Sequence, residues 1–137
     1  MTRREAKRIL LRAAKLVDRG WCQNAPALNA AGESVNPLYV GARAWCLTGA
    51  VERAYVEHHH EPLLTESSVR TPERFRRGDD VLARIGPLVA PVFLRRGLPT
   101  SAAVEWNNDP DRTAPEVAAL LREMASAQTT RAARNRR

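Results

Sequence analysis

Two cysteines and a run of three histidines are the side chains in this sequence that bind transition metals most readily. Thiolate and imidazole are the usual zinc ligands, but structural zinc sites pair their ligands two to four residues apart. Neither Cys22 nor Cys46 has such a neighbour. Consecutive side chains of His58–His60 would point about 100° apart on a helix, so that one or two at most can converge on an ion. We therefore predict no metal site and interpret the histidines as a solvated helix end.

The same cysteines have the chemistry of a nucleophile, which needs a neighbouring base and an oxyanion site. Cys46 lies between Trp45 and Leu47 in an apolar stretch predicted to be helical, where a thiol is an inert core residue. Cys22 is the better candidate because it follows a predicted helix end at Gly20. A small thiol-dependent enzyme using Cys22 stays open as an alternative. Because no sequence signature supports it, we predict a non-enzymatic protein without a cofactor.

Two groups of acids, Asp79–Asp80 and Asp109 with Asp111, have the oxygen ligands that divalent cations prefer. Both groups directly precede apolar periodic segments, where carboxylates cap helices and complement the helix dipole. We therefore predict capping and not metal binding. The sequence also contains no phosphate-binding glycine loop, no Walker motif and no Ser-His-Asp signature.

The positive charge of the chain is concentrated at its two ends. The 137 residues carry a net charge of +7, of which residues 1–20 contribute +5 and residues 126–137 contribute +4, so that residues 21–125 carry −2. Twenty of the 22 basic residues are arginine. Arginine suits bidentate binding of phosphate or carboxylate, although a GC-rich genome produces the same bias without any selection for binding.

The basic residues of the first segment fall on one face of a predicted helix. Thr2 and Glu5 form a capping box, and Gly20 marks the helix end. At 100° per residue, apolar residues lie on one side and five basic residues lie within an arc of about 80° on the other. We call these five residues the basic stripe: Arg4, Arg8, Arg12, Lys15 and Arg19. The predicted partner-binding residues are the basic stripe and the four C-terminal bases Arg131, Arg134, Arg136 and Arg137.

This basic surface predicts an acidic partner, first of all the backbone of a nucleic acid. Neither basic segment contains an aromatic residue, which argues against stacking on single-stranded bases. No helix-turn-helix pattern is present, so contact would be directed at the backbone and would be sensitive to salt. An acidic protein surface without nucleic acid is the alternative, and Leu11 at the edge of the stripe is a candidate apolar anchor for it. A solvated face without any partner is the remaining interpretation.

The periodicity of the chain predicts a mainly α-helical single domain over residues 1–127 and a basic, flexible tail over 128–137. Between 21 and 36 the helical period disappears, and we predict a short hairpin or an irregular arm. An N-cap at Asn36 opens a predicted central helix over 37–57, which is apolar nearly all round and against which the arm packs.

About five helices are predicted in all. A loop over 61–71 is followed by a short helix over 72–75, by one broken helix or two short ones over 81–94, and by another short helix over 100–106. Thr113 and Glu116 form a second capping box and open a last helix whose predicted buried face is Val117, Leu120, Leu121 and Met124.

Composition excludes several protein classes. With 44% hydrophobic and 27% charged residues, the chain can bury one compact core, and with 5% aromatics that core is mostly Leu, Val and Ala. No apolar run approaches the roughly 20 residues that span a bilayer, and the N-terminus has no secretory pattern. Two cysteines in such a chain favour reduced thiols. We therefore expect a cytoplasmic protein.

Three segments of the chain together resemble a known family. They read Gly20-Trp21-Cys22-Gln23, then Ala44-Trp45-Cys46-Leu47-x-Gly49-Ala50, then Trp106-Asn107 followed by Arg112-Thr113 and Glu116-Val117. In this order they resemble an uncharacterised family, a domain of unknown function, of small actinobacterial and actinophage proteins. The resemblance covers residues from about 8 to 125 without a recognisable counterpart over 57–97, and Asn108 stands where the family pattern has Asp. It implies a shared fold and a phage or actinobacterial origin, but no activity. If the protein is phage-encoded, the expected location is the cytoplasm of the host.

Overall fold

The computed structural model describes residues 1–65, 83, 86–87, 90–99 and 102–134. Its helices are α1 (Arg3–Arg19), α2 (Leu47–His58), α3 (Ala103–Asn107) and α4 (Ala114–Arg134), and its strands are β1 (Ala27–Asn29), β2 (Ser34–Val35) and β3 (Ala42–Trp45). With the helical stretch that includes 90–95, five helices accompany a three-stranded antiparallel sheet in this part of the chain. The fold is therefore helix-rich but mixed, and the prediction of a mainly α domain is correct only in part.

Helix α1 forms as its sequence predicts. Oγ1 of Thr2 accepts a hydrogen bond from the backbone N–H of Glu5 at 3.1 Å, which is one half of the capping box. The apolar face of α1, with Ile9 and Leu10 fully buried, packs most extensively against α4 and next against α2. On α4 the buried face contains the residues predicted from the second capping box onward: Val117, Leu120, Leu121 and Met124. Burial of these two apolar faces is the main source of the core's stability.

Residues 21–36 contain the hairpin that was one of the two predicted alternatives. Strands β1 and β2 pair antiparallel, and β1 forms the centre of the sheet order β2-β1-β3. The Asn29 side chain closes the hairpin loop, because its Oδ1 accepts the backbone N–H groups of Ala31 at 3.0 Å and Glu33 at 2.9 Å. Gly32, with φ +79°, supplies the left-handed residue that this loop requires.

The central helix predicted over 37–57 is wrong in its first half, where the chain forms β3 and α2 begins only at Leu47. Strand β3 pairs with β1 along one edge. On its other edge the backbone N–H of Trp45 donates to the carbonyl of Gly20 at 3.0 Å, and the carbonyl of Trp45 accepts the backbone N–H of Cys22 at 3.2 Å. An apolar stretch without a clear period fits a buried strand as well as a buried helix. Pairing on both edges decides for the strand.

Gly49, in the first turn of α2, permits close contact between this helix and the arm. A Cβ atom at Gly49 would lie 2.2 Å from the carbonyl oxygen of Pro26, a distance that real side chains do not reach. The backbone at Pro26, just before β1, therefore packs directly against the first turn of α2.

The last two helices also follow the prediction. Helix α3 corresponds to the short helix predicted over 100–106 and ends one residue later. Helix α4 follows Thr113, whose N–H donates to Oε1 of Glu116 at 3.2 Å. Since α4 continues to Arg134, it extends beyond residue 127, and the flexible tail over 128–137 stays a prediction.

Some predicted features lie outside the described residues, namely Asp79–Asp80 and the short helix over 72–75. Of the helices that the structure does describe, none combines the length and the apolar character needed to cross a membrane.

Candidate anion-binding groove

Four of the five predicted stripe residues line one groove on the protein surface. The groove has a volume of about 600 Å³ and lies between α1 and the C-terminal end of α2. Its α1 side is formed by residues three or four positions apart, which share one helix face. Its α2 side ends in two histidines. The lining residues are Arg8, Leu11, Arg12, Lys15, Leu16, Arg19, Glu57, His58 and His60.

Glu57, the acid in this lining, is shared by two arginines. Its Oε2 accepts from Nη1 of Arg12 at 3.1 Å, and its Oε1 accepts from Nε of Arg53 at 2.9 Å. Arg53 is only 7% exposed, and its Nη1 also donates to the backbone carbonyls of Pro37 at 3.2 Å and Tyr39 at 2.8 Å. Arg53 therefore holds Glu57 in place, and Glu57 fixes Arg12 against α2.

The other three basic residues of the groove carry charge that their described surroundings do not neutralise. Arg8, Lys15 and Arg19 are exposed. None of them forms an ion pair or a side-chain hydrogen bond with a residue that the structure describes. Cations held over one concave surface focus a positive potential there. The groove therefore has the charge and the shape of a site for an anion.

The end of α2 is set by a Schellman motif. The N–H of Glu61 donates to the carbonyl of Val56 at 3.0 Å, and the N–H of His60 donates to that of Glu57 at 3.2 Å. His60 occupies the left-handed position of the motif, with φ +53°, where glycine is the usual residue. The motif stops the helix beside the groove, and His58 and His60 both become part of the lining.

His58 lies in a predominantly positive environment within this groove. Its pKa is lowered from the ordinary value of 6.5, first by desolvation and then by the neighbouring charges of His59, Arg12 and Arg8, while Glu5 acts in the opposite direction. At pH 7 its imidazole is therefore mainly neutral. This histidine is half-buried, whereas the two that follow it are exposed.

The fifth stripe residue, Arg4, does not line the groove. It is exposed and lies one turn ahead of the groove on α1. Arg131 and Arg134 belong to the last turns of α4, and Arg136–Arg137 lie outside the described residues. A role for these five in binding stays a prediction.

No pattern in the sequence assigns Glu57, His58 or His60 to the basic stripe. They reach it because α2 packs against α1, a contact between segments about 45 positions apart in the chain. A possible signal was the position of the histidines at a helix end, but the helix face that meets α1 is not marked by any local pattern.

A second polar cluster, centred on Asn107, joins the three segments that carry the family resemblance. Asn107 is 1% exposed, and its Oδ1 accepts from the indole Nε1 of Trp21 at 2.8 Å and from the N–H of Leu47 at 3.0 Å. Its Nδ2 donates to the carbonyl of Cys22 at 3.1 Å and to Oδ1 of Asn108 at 3.2 Å. We call these five residues the asparagine node. The central amide uses all of its donors and acceptors inside the protein.

The chain around the node adds further bonds of the same kind. Nε2 of Gln23 donates to the carbonyls of Asn107 at 3.0 Å and Asp109 at 2.7 Å. Oδ1 of Asn108 accepts the N–H of Asn24 at 2.8 Å. An aspartate carboxylate, which the predicted resemblance expects at this position, could accept the same bonds as Asn108.

Arg112 anchors the loop between α3 and α4. Its guanidinium lies 3.9 Å from the ring centroid of Trp106, and its Nε donates to the carbonyl of the same residue at 3.0 Å. Hydrogen bonding from Arg112 lowers the pKa of Glu116. Oδ1 of Asp109 accepts the N–H of Asp111 at 3.0 Å, which is an Asx turn. These acids therefore serve the turn and the helix start.

The two cysteines are buried near the node. Burial, with a smaller effect from nearby Cys46, raises the pKa of Cys22 to about 11, and its Sγ donates to the carbonyl of Ala25 at 3.5 Å. A thiol with such a pKa is protonated at neutral pH and is a poor nucleophile. The prediction that Cys46 lies within a helix is wrong. Cys46 is the N-cap of α2, where its Sγ accepts the N–H of Gly49 at 3.3 Å.

A further cavity of about 400 Å³ adjoins the node beside Cys46 and Val104. Four of its polar side chains already bond within the protein, as Asn107 and Asn108 do to each other and Cys46 does to Thr48 at 3.3 Å. Nor does any cluster of three or more His, Cys, Asp or Glu suited to a metal ion occur among the residues the structure describes. The basic groove is therefore the better candidate site.

Comparison with known proteins identifies a family but no activity. The family model described as "Family of unknown function (DUF6197)" matches residues 1–127. No curated protein and no solved structure matches the chain. The predicted resemblance to an uncharacterised family is confirmed to this extent, and an actinobacterial or phage origin stays a prediction.

Proposed function

We propose that this chain, which belongs to the family of unknown function DUF6197, binds the phosphate backbone of a nucleic acid in the groove between α1 and α2. The observation that carries the proposal is the set of three cations in the groove, Arg8, Lys15 and Arg19, without an ionic partner in the described structure. Such residues release counterions from a polyanion when they bind it.

The dimensions of the stripe support a backbone ligand. From Arg4 to Arg19 the helix advances about 22 Å at 1.5 Å per residue. Along duplex DNA this length corresponds to about six base pairs at 3.4 Å each. The groove thus offers contacts to phosphates, and its described lining has no Trp, Tyr or Phe platform for stacked bases.

The test is the affinity for fluorescently labelled duplex DNA of mixed sequence, measured by anisotropy. In the groove variant, Arg8→Gln, Lys15→Gln and Arg19→Gln remove the three unpaired cations, while Arg12 stays paired with Glu57. We expect about 100-fold weaker binding at low salt. If the wild-type protein binds no duplex DNA at low salt, the proposed function is refuted.

The matched control variant removes three charges elsewhere, by Arg3→Gln, Lys7→Gln and Arg95→Gln. Arg3 and Lys7 are on α1 but outside the groove lining, and Arg95 is exposed after α2. We expect the control variant to lose much less affinity. Equal losses in both variants would mean that only the net charge matters, which contradicts a role for the groove.

An acidic protein surface is the second candidate partner, favoured by one apolar residue. Leu11 is 38% exposed and lines the groove between the cations. A protein partner would bury it, whereas a phosphate backbone would not. Leu11→Ser should therefore leave the affinity for duplex DNA unchanged, and a clear loss of DNA affinity would contradict contact with the DNA through phosphates alone.

We propose binding and not catalysis because the residues with catalytic chemistry are already engaged. The thiol of Cys22 is buried, with its pKa raised to about 11, and the amide of Asn107 is fully bonded. The groove, by contrast, holds cations that suit an anion without any reaction. A thiol-dependent enzyme remains the third proposal, and the alkylation experiment in the Discussion tests it.

A further inference from the structure

His58 lies in the groove together with the cations of the proposed anion site. It is the last residue of α2, where the partial negative charge of the helix end favours a cation. Charged and titratable groups surround it from both helices and from the chain after α2. From α1 they are Glu5, Arg8, Arg12, Lys15 and Arg19; from α2 they are Glu57 and His59; and from the following residue His60.

We infer that binding of an anion in this groove is coupled to the uptake of a proton by the imidazole of His58. The inference rests on the proposed function, since it concerns the same groove, and it adds a dependence on pH that the function itself does not require. It also assigns a role to a histidine that otherwise would be part of a solvated helix end.

The physical basis is the position of His58 in a groove lined by cations. In the free protein desolvation and the neighbouring His59 lower the pKa of His58 most, and the charges of Arg12 and Arg8 add to this. A phosphate bound by the unpaired cations of the groove, Arg8 among them, offsets the positive field at the imidazole and offers an acceptor for its N–H groups. Both effects favour the imidazolium form. Glu5 and the end of α2 already act in this direction.

The sign of the pH dependence follows by linkage. Between the low pKa of His58 in the free protein and its higher pKa in the complex, the complex holds more protons than the free protein. Affinity must therefore rise as the pH falls through this window. One linked proton changes the affinity by at most about tenfold per pH unit.

Calorimetric titration of the full chain with the same duplex DNA measures this proton directly. Phosphodiesters keep a constant charge between about pH 5 and pH 8, so any proton taken up belongs to the protein. Comparing two buffers of different ionisation enthalpy near pH 6 gives the number of protons bound. We expect an uptake of up to about one proton per protein in the wild type and none in His58→Gln.

His59→Gln is the matched control, because His59 packs against the ring of Tyr55 at 4.4 Å and does not line the groove. This variant should keep a proton uptake by His58, reduced in size because His59 helps to hold the pKa of His58 low in the free protein. His60→Asn removes the other groove histidine with a residue that tolerates the left-handed conformation, and it should also keep most of the uptake. Far-ultraviolet circular dichroism checks that each variant is folded.

The outcomes separate this inference from the proposed function. Absence of DNA binding at every pH refutes the function. DNA binding without proton uptake, or uptake that persists in His58→Gln, overturns the inference and leaves the function in place. Loss of the uptake in His60→Asn alone would also overturn it, since the proton would then belong to His60.

Discussion

Asn107 uses every donor and acceptor of its amide on groups inside the protein, whereas Arg8, Lys15 and Arg19 have no ionic partner in the part of the chain that the structure describes. The node is buried and joins distant segments. The groove is open and gathers charge from one helix face. Polar residues thus serve two different purposes within one small domain.

The difference teaches how to interpret the three segments on which the predicted resemblance rests. Residues in these segments, such as Trp21, Gln23, Asn107 and Arg112, bond to one another or to nearby backbone. They therefore hold the fold together and have little capacity left for a ligand. The cations of the groove belong to none of the three segments. Their charge, without an ionic partner among the described residues, is the better indication of function.

The largest effect that separates the two regions is expected from Asn107→Ala. The change leaves the half-buried indole N–H of Trp21 and the buried N–H of Leu47 without this acceptor, and it removes two donated bonds. We expect a loss of about 3 to 5 kcal/mol in the free energy of unfolding. Urea denaturation followed by circular dichroism measures it.

Glu105→Ala is the control for this change, since Glu105 is exposed on the same short helix and should alter stability by less than about 0.5 kcal/mol. The folded fraction of Asn107→Ala should bind duplex DNA like the wild type. A stability loss below about 1 kcal/mol would show that the node does not hold the segments together.

The next effect concerns the close contact beside the node. Gly49→Ala places a Cβ atom 2.2 Å from the carbonyl oxygen of Pro26, so the arm must move away from α2. We expect a loss of about 2 kcal/mol in thermal or urea unfolding. Gly97→Ala, where a Cβ meets open space but φ is +70°, should cost about 1 kcal/mol or less. A smaller loss for Gly49→Ala than for Gly97→Ala would contradict the contact.

The sequence predicts the parts of this fold that have a clear period. Helices α1 and α4 each place apolar residues on one face, and their capping boxes mark the starts. The stretch over 37–46 has no such period. Only its pairing with β1 and with Gly20–Cys22 shows that it contains the strand β3. A local pattern does not contain these non-local bonds.

The same limit applies to the groove. Its α1 side is predictable, because residues such as Arg8 and Arg12 share a helix face by spacing alone. Its α2 side depends on how two helices pack. Arg53 shows this most clearly, because it donates to the backbone carbonyls of Pro37 and Tyr39. These carbonyls accept no helical hydrogen bonds, since α2 begins at Leu47 and not at residue 37. A helix over the whole of 37–57 would have hidden that role.

A moderate effect is expected from removing the internal partner of Arg12. Glu57→Gln frees Arg12 and raises the charge of the groove, so binding of duplex DNA should become about threefold to tenfold tighter. The buried guanidinium of Arg53 loses its carboxylate at the same time, and we expect a stability loss of about 1 kcal/mol. Anisotropy and urea unfolding measure the two effects. Weaker binding would show that Glu57 positions Arg12 for the anion.

The smallest effect is expected at Cys22. With its pKa raised from 9.0 to about 11, the thiolate fraction at neutral pH falls about 100-fold, so iodoacetamide should label it slowly and faster as the pH rises. Cys22→Ala should leave the affinity for duplex DNA unchanged. Rapid labelling of Cys22 near pH 7, identified by mass spectrometry, would contradict the buried thiol and support a thiol-dependent enzyme.

The most direct test of the groove is the salt dependence of DNA binding by three proteins: the wild type, the groove variant and the control variant. Affinity for the labelled duplex is measured between 50 and 200 mM salt. If Arg8, Lys15 and Arg19 each contact a phosphate, the slope of log K against log salt should become shallower by about 2.7 in the groove variant. It should stay close to the wild-type value in the control variant. Equal slopes for all three proteins would contradict the groove as the binding site.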